Sequence, residues 1–309
     1  MKNILVVSPQ YVGDTILVIP FLRELRKNYP NATIDVVTKN AGKLVLSVCP
    51  YVNNIYSKDE LKANFYEKAY ILKRSLSAGL LVKKLKIKDT IGFGGQFREF
   101  ILKKCVKYKP HEKHELEHFS DVLISDGIKI TNENLEYWAN ENDIQNVQKH
   151  FTENKKKALI VTQSSTYIKN WTQENFQKII NFLNENNFEC FIVGTAKEEE
   201  FNNQFQNVKN LCGKISFNEI SALISQMDLI FGIDSGFCHL GTAFDKKVVA
   251  LFGSTSITQW KLRGNNSHTL SLNLKCSPCK KPKKCKNEFK CMKEISSEFV
   301  INYLKNEVL

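Results

Sequence analysis

The chain has 309 residues, 42% of them hydrophobic, which is enough to fill two cores and too apolar for a disordered chain. Its 44 Lys and Arg against 32 Asp and Glu leave a formal charge of +12, so an anionic partner is expected: a nucleotide, a phosphorylated glycan, an anionic membrane surface or a nucleic acid. No stretch approaches the roughly 18 to 20 unbroken apolar residues of a membrane span, and Lys2 leads into a strand rather than a cleavable leader, so a cytoplasmic protein is expected.

Residues 3–8, NILVVS, and 32–37, ATIDVV, are short apolar runs rich in β-branched residues. Between them Ile16, Ile19, Leu22 and Leu25 fall on one stripe at helical spacing, so the segment predicts a βαβ unit. The series continues with KAYIL at 68–72, a helix near 76–85 and TIGF at 90–93. From about residue 97 to 150 the rhythm blurs, as a Lys-rich run gives way to a helix through Leu123 and then to TNENLEYW. It restarts with strands at 157–163, 188–194, 207–213, 228–234 and 247–253, separated by helices at 172–186, 196–206, 217–226 and 236–244. Such alternation predicts parallel sheets covered on both faces, and the restart predicts two of them. The expectation is an α/β chain with a Rossmann-like domain over 1–150 and a second over 151–309. Ligands of open parallel sheets bind beyond the carboxyl ends of the strands, which directs attention to the loops that follow each strand.

Those loops carry polar groups of the right kinds. After the first strand, YVGDTILVIP sets Gly13 and Asp14 at the mouth of an apolar helix; the aspartate suits either a general base or a helix cap, and the glycine suits a tight turn. After the strand at 157–163, TQSSTYIKNW offers the hydroxyls of Ser164 and Ser165 and the cation of Lys169 ahead of a helix, a set suited to a diphosphate or to an ordinary capped loop. GTAKEEE places Glu198 and Glu199 at a helix start, where a carboxylate favours the macrodipole and could also bond a ribose. In DSGFCHLGTA, Asp234, Ser235 and Gly236 form a turn expected to open backbone N–H groups toward a ligand, with His239 in the first turns of the next helix.

Taken together, GDTILVIPFLRELRKNYPNATIDVV, KNW, DSGFCHLGTAFDKKVVALFGSTS and CSPCKKPKKCKNEFKCM resemble the family 9 glycosyltransferases, the lipopolysaccharide heptosyltransferases and their relatives, over nearly the whole chain and in the same order. The resemblance implies a GT-B fold, two Rossmann-like domains facing across a cleft, and an inverting transfer from a nucleotide sugar, typically ADP-heptose, to the inner core saccharide on lipid A. It makes Asp14 the catalytic base in an acceptor-side domain and gives Lys169 the departing diphosphate. Ser164 and Ser165 match phosphate-holding hydroxyls, Glu198 or Glu199 a ribose-binding glutamate, Ile215 a residue packed near adenine, and Asp234, Ser235, Gly236 and His239 the nucleotide-sugar loop. The chain departs from the pattern in Ser235, where threonine is frequent, in Asn170 before Trp171, and in Thr172, where proline often follows the tryptophan.

A phosphorylated acceptor and an anionic inner-membrane surface would both attract Arg74, Arg98, Lys103, Lys104 and Lys107, each of which is otherwise a solvated surface charge. The protein is accordingly expected as a monomer, peripheral at the cytoplasmic face of that membrane, with no required cofactor. Cys276, Cys279, Cys285 and Cys291 read C-x2-C-x5-C-x5-C; four thiolates would suffice for structural zinc, but paired C-x2-C knuckles are lacking, and reduced thiols or a labile disulfide are the favoured state. Nucleic acid is disfavoured because no arginine and aromatic interleaving occurs, and a Rossmann oxidoreductase because SPQYVGD stands where G-x-G-x-x-G would be needed. The remaining alternatives are a family 9 relative using a different nucleotide sugar and a catalytically silent carbohydrate-binding relative.

Overall fold

Both runs of alternating elements fold into six-stranded sheets whose strand pairs are all parallel. The computed structural model describes residues 2–164, 166–279 and 285–309. By compactness the chain divides into Met1–Glu136 and Tyr137–Leu309. The sequence pattern places the boundary at 150; the difference is the helix Glu141–Gln148, which packs on a later helix of the second unit.

The first sheet contains β1 (Asn3–Val7), β2 (Thr33–Val37), β3 (Asn54–Tyr56), β4 (Lys68–Ile71), β5 (Asp89–Phe93) and β6 (Lys104–Val106), in spatial order 3-2-1-4-5-6. Its helices are α1 (Val12–Ile16), α2 (Ile19–Asn28), α3 (Asn40–Leu46), α4 (Leu76–Lys84) and α5 (Glu115–Ser125). Where the apolar stripe predicts one helix after β1, the structure has two. Pro20 sits in the first turn of α2, where it has no N–H to offer a continuing helix, and the chain re-aims at Leu17 and Val18. The strands β3 and β6 are edge pieces of three residues, too short to show alternation.

The second sheet contains β7 (Lys156–Val161), β8 (Phe188–Ile192), β9 (Lys209–Asn210), β10 (Leu229–Ile233), β11 (Lys247–Leu251) and β12 (Ser267–Leu270), in order 12-11-10-7-8-9. Counted from its own first strand this is the same winding as the first sheet. Helices α6 (Glu141–Gln148), α7 (Gln173–Glu185), α8 (Glu199–Asn202), α9 (Phe217–Ser225), α10 (Gly236–Ala243), α11 (Ile257–Trp260), α12 (Lys290–Lys293) and α13 (Ser297–Tyr303) complete the unit. The expected helix at 196–206 shrinks to the four residues of α8, and the expected strand at 207–213 to the two of β9. The central strands are buried along nearly their whole length, as β10 is at every residue, which explains why they read as continuous apolar runs. In each sheet the winding reverses at one pair, β1 with β4 and β7 with β10, and that switch point is where such sheets bind ligands.

Two buried carboxylates do parallel work at the ends of the 131–152 connection. Glu24 of α2 accepts from Thr131 N at 3.2 Å, Thr131 Oγ1 at 2.9 Å and Lys27 Nζ at 3.0 Å. Glu189 of β8 accepts from Thr152 N at 2.9 Å, from the Thr152 hydroxyl and from Lys209. For both, burial pushes the carboxyl pKa up, and the bonds from lysine and threonine more than reverse it, leaving each below the ordinary glutamate value.

Candidate active site

At the switch point of the second sheet the loops after β7, β10 and β11 meet. Trp171 is buried against Phe176 and Phe231, and its indole N–H donates to Ile295 O at 2.8 Å, so the chain just ahead of α7 is pinned. Two residues earlier, Lys169 projects from a short turn and places Nζ 2.7 Å from Asp234 Oδ2. The same carboxylate oxygen accepts the Thr255 hydroxyl at 2.8 Å, from the loop after β11. Asp234 is buried, while Lys169 keeps 22% of its side chain exposed, so the cation lies on the solvent side of the pair.

Asp234 does not itself open an N–H toward a ligand as the sequence suggests. Its N–H donates to Leu251 O at 3.1 Å, continuing the ladder of β10 and β11 for one residue. Ser235 follows as the N-cap of α10, its hydroxyl accepting from Phe237 N at 3.3 Å, and Gly236 is the first residue of the helix. The helix N-terminus therefore faces the same end of the sheet as Lys169, a setting favourable to anionic oxygen. Gly241 lets α10 sit tightly on β10, since a methyl there would come 2.2 Å from Ile230 Cδ1. His239 is buried in α10 with Nδ1 lacking a partner among the described residues; burial lowers its pKa, against Asp234 and with Lys169, and keeps the imidazole neutral.

The loops after β8 and β9 lie side by side, Gly213 N donating to Gly194 O at 3.0 Å. Gly213 has φ +69, and a methyl on it would sit 2.7 Å from Ala196, so both backbone and space call for glycine. Glu198 turns back to accept from Thr195 N at 2.6 Å and Thr195 Oγ1 at 2.9 Å, while Glu199 pairs with Lys214 at 3.2 Å, next to the half-buried Ile215. Ser164 bonds within its own turn, to Thr166 N and O. Ser165 lies outside the described residues.

At the switch point of the first sheet, the loop after β1 is tied down by Thr38 Oγ1 on Pro9 O at 2.6 Å and Lys73 Nζ on Gln10 Oε1 at 3.1 Å. Asp14 is the third residue of α1 and half-buried. It does not occupy the cap position: Tyr11 does, with extended backbone and no side-chain cap bond. Gly13 is helical, accepting from Leu17 N at 3.1 Å, so the tight turn expected there is absent.

Of the five basic residues that the sequence singles out in the first unit, four are already engaged by other groups. Arg74 pairs with the buried Glu115 and stacks 3.9 Å from the Tyr108 ring centre. Arg98 is buried and donates to Gly94 O, with Nε and Nη1 unpartnered among the described residues. Lys103 pairs with Asp89 at the start of β5 at 3.0 Å, Lys104 donates to Ser125 O, and Lys107 is exposed.

All nine cysteines are free thiols. Among the described residues no group of three or more His, Cys, Asp or Glu is gathered so as to hold a metal ion. The cysteine-rich segment packs on the end of β11, with Cys279 N donating to Ser254 O at 2.9 Å and Met292 against Gly253. Thr255 is the residue that sequence reasoning passes over; a hydroxyl just past the strand beside β10 is its only signal.

Two sheets in the doubly wound order, one with a lysine, a carboxylate and a helix N-terminus converging on its switch point, define an α/β protein built of two Rossmann-like units. More particularly, the chain belongs to glycosyltransferase family 9 (heptosyltransferase), whose sequence model matches residues 57–290. It is 25% identical to the lipooligosaccharide heptosyltransferase 2 of Campylobacter jejuni, over 96% of both chains. The structure of E. coli ADP-heptose lps heptosyltransferase II superposes with a TM-score of 0.83 at 21% identity, covering 99% of this chain and 98% of that one. E. coli heptosyltransferase WaaC with ADP does so with 0.77 at 15% identity, covering 98% and 99%. These two likenesses establish the GT-B fold class. Among the described residues no helix is long and apolar enough to cross a membrane.

Proposed function

We propose that the chain transfers heptose from ADP-heptose to the inner core of lipopolysaccharide or lipooligosaccharide, with inversion at the anomeric carbon. The observation that carries this reading is the convergence of Lys169, Asp234 and the N-terminus of α10 on the switch point of a family 9 chain. Relatives named for heptose transfer to lipooligosaccharide, and a like-folded protein solved with ADP, support the choice of donor and acceptor.

In this reading Asp14 takes the proton of the acceptor hydroxyl while that oxygen bonds to the anomeric carbon and the bond to the diphosphate breaks, its electron pair leaving with ADP. Lys169 meets the charge that grows on the departing diphosphate, a contact worth more in the transition state than in the ground state. Asp234 holds that ammonium in place through a 2.7 Å ion pair, with Thr255 fixing the carboxylate. Ser164, Ser165, Ser235 and Gly236 would serve phosphate oxygens, Glu198 or Glu199 the ribose, Ile215 the adenine, and His239 would back the loop as a neutral ring. The basic side chains of the first unit would receive the phosphorylated acceptor, and the protein would work as a monomer at the cytoplasmic face of the inner membrane.

Thermal unfolding with added nucleotides tests the donor assignment, because a ligand that binds only the folded state raises apparent stability. ADP and ADP-heptose are expected to raise Tm more than GDP, UDP or their sugars. A larger shift with UDP-sugars would overturn the donor while leaving the fold untouched.

A further inference from the structure

The most exposed large hydrophobic side chains among the described residues, Phe100 at 85% and Phe97 at 74%, stand three positions apart on one short turn after β5. That turn lies on α4: Gln96 Oε1 accepts from Leu76 N at 3.1 Å, and a methyl on Gly79 would meet Arg98 and Ile101 at 3.4 Å. The outward stripe of α4 begins with Leu76 and Leu80, also exposed, and ends with Lys83 and Lys84. The two phenylalanines and two leucines thus share one side of the first unit with a lysine pair.

Folding gains little from this arrangement. Exposed phenylalanines contribute no core, and Gly95, Gln96 and Phe97 run at φ values of +94, +54 and +63, a left-handed stretch that a bulky residue enters only at a cost in energy. Buried beneath the turn, Arg98 bonds Gly94 O and thereby holds the two rings outward. From Lys68 to Lys109 the sequence carries twelve Lys and Arg against two carboxylates, but Lys68, Arg74, Lys103 and Lys109 are paired with acidic side chains and Arg98 is buried, so the charge beside the turn is that of Lys83 and Lys84. Neither Lys83 nor Lys84 pairs with a carboxylate among the described residues. Apolar side chains that enter the headgroup boundary, flanked by unpaired lysines at headgroup level, are what an anionic lipid surface takes.

We infer that this side of the first unit docks on an anionic bilayer, with Phe97 and Phe100 inserted and Lys83 and Lys84 against the headgroups. It rests on the proposed function only in that a lipid-anchored acceptor would be met at such a surface. The charge favours a bilayer over a neutral protein partner, and the isolated projection of two rings favours insertion over a flat contact between copies.

The test is cosedimentation of the full chain with vesicles of phosphatidylcholine alone or mixed with phosphatidylglycerol. Binding is expected only to the anionic vesicles and to weaken as salt rises. Phe97→Ser with Phe100→Ser should reduce partition at least about tenfold, and Lys83→Gln with Lys84→Gln by about fivefold per lysine, without loss of thermal stability. Unchanged partition of the phenylalanine variant overturns the inference. So does a wild-type dimer that this variant converts to monomer without affecting vesicle binding, since the face would then join two copies. Transfer to an acceptor stripped of its fatty acids should proceed normally in the phenylalanine variant and fail selectively on acceptor embedded in vesicles. If wild type binds the vesicles as described yet transfers heptose to neither acceptor, the surface stands and the proposed function falls.

Discussion

The two units have one strand order and opposite handling of charge at their switch points. In the second, the lysine and the carboxylate are paired with each other at 2.7 Å across adjacent strands, giving a preset, nearly neutral seat with an ammonium on its solvent side. In the first, the carboxylate of Asp14 stands in the opening turn of a helix, while Lys73 is spent on the Gln10 amide and Arg74 on Glu115. In the proposed function the same winding serves two chemistries, one holding a diphosphate and one taking a proton. The difference resides in loops of a few residues rather than in the sheets.

The largest effect is expected where the contrast is sharpest. Asp14→Asn keeps the size of the side chain but cannot accept a proton at neutral pH, so kcat should fall about 10²- to 10⁴-fold with ADP-heptose affinity preserved. The amide keeps an accepting oxygen in the same place and Tyr11 holds the cap position, so the fold should survive the change. Parallel titration calorimetry and single-turnover assays would check both halves of that statement.

Next comes Lys169→Ala, expected to lower kcat/KM by about 10²-fold and to weaken ADP binding as well. It also leaves the buried Asp234 carboxylate with Thr255 as its remaining side-chain partner among the described residues, so a stability loss of about 1–3 kcal/mol should accompany it in denaturant titration.

The fold was legible because the inner strands are buried on both faces and so spell themselves in Ile, Leu, Val and Phe, as LIFGI does in β10. Edge strands carry no such run, and NIY and SHTL passed unread. The break between α1 and α2 was written in Pro20 but masked by an apolar stripe that continues through it. Lys169 and Asp234 could each be picked out as loop residues following a strand; their pairing could not, because it depends on β7 and β10 being neighbours although 65 residues separate the two side chains. The burial of Arg98 was hidden for the same reason: a lysine-rich segment reads as surface unless the helix that covers it is known.

The anchors of the connection extend the comparison to stability. Glu24→Gln and Glu189→Gln should each lower stability by about 1–3 kcal/mol at neutral pH, and amide exchange should speed up near Thr131 in the first case and Thr152 in the second. Both folded-state pKa values lie below the ordinary 4.5, so the stabilisation is fully present above that value and fades as pH falls through the folded-state pKa. Variant and wild type should therefore converge in acid. Smallest of all, Thr255→Val removes a single hydroxyl from Asp234 and should cost about 1 kcal/mol, with Lys169 still in place.

The central claim is that this chain moves heptose from ADP-heptose to a core saccharide with inversion. Incubating the purified protein with ADP-heptose and a heptose-deficient core acceptor, then recording the mass and the anomeric NMR signal of the product, tests it most directly. The account predicts one added heptose, whose linkage has the configuration opposite to that in the donor, and one ADP released per transfer. An unchanged acceptor in the presence of bound ADP-heptose, or a product that retains the donor's configuration, would contradict it.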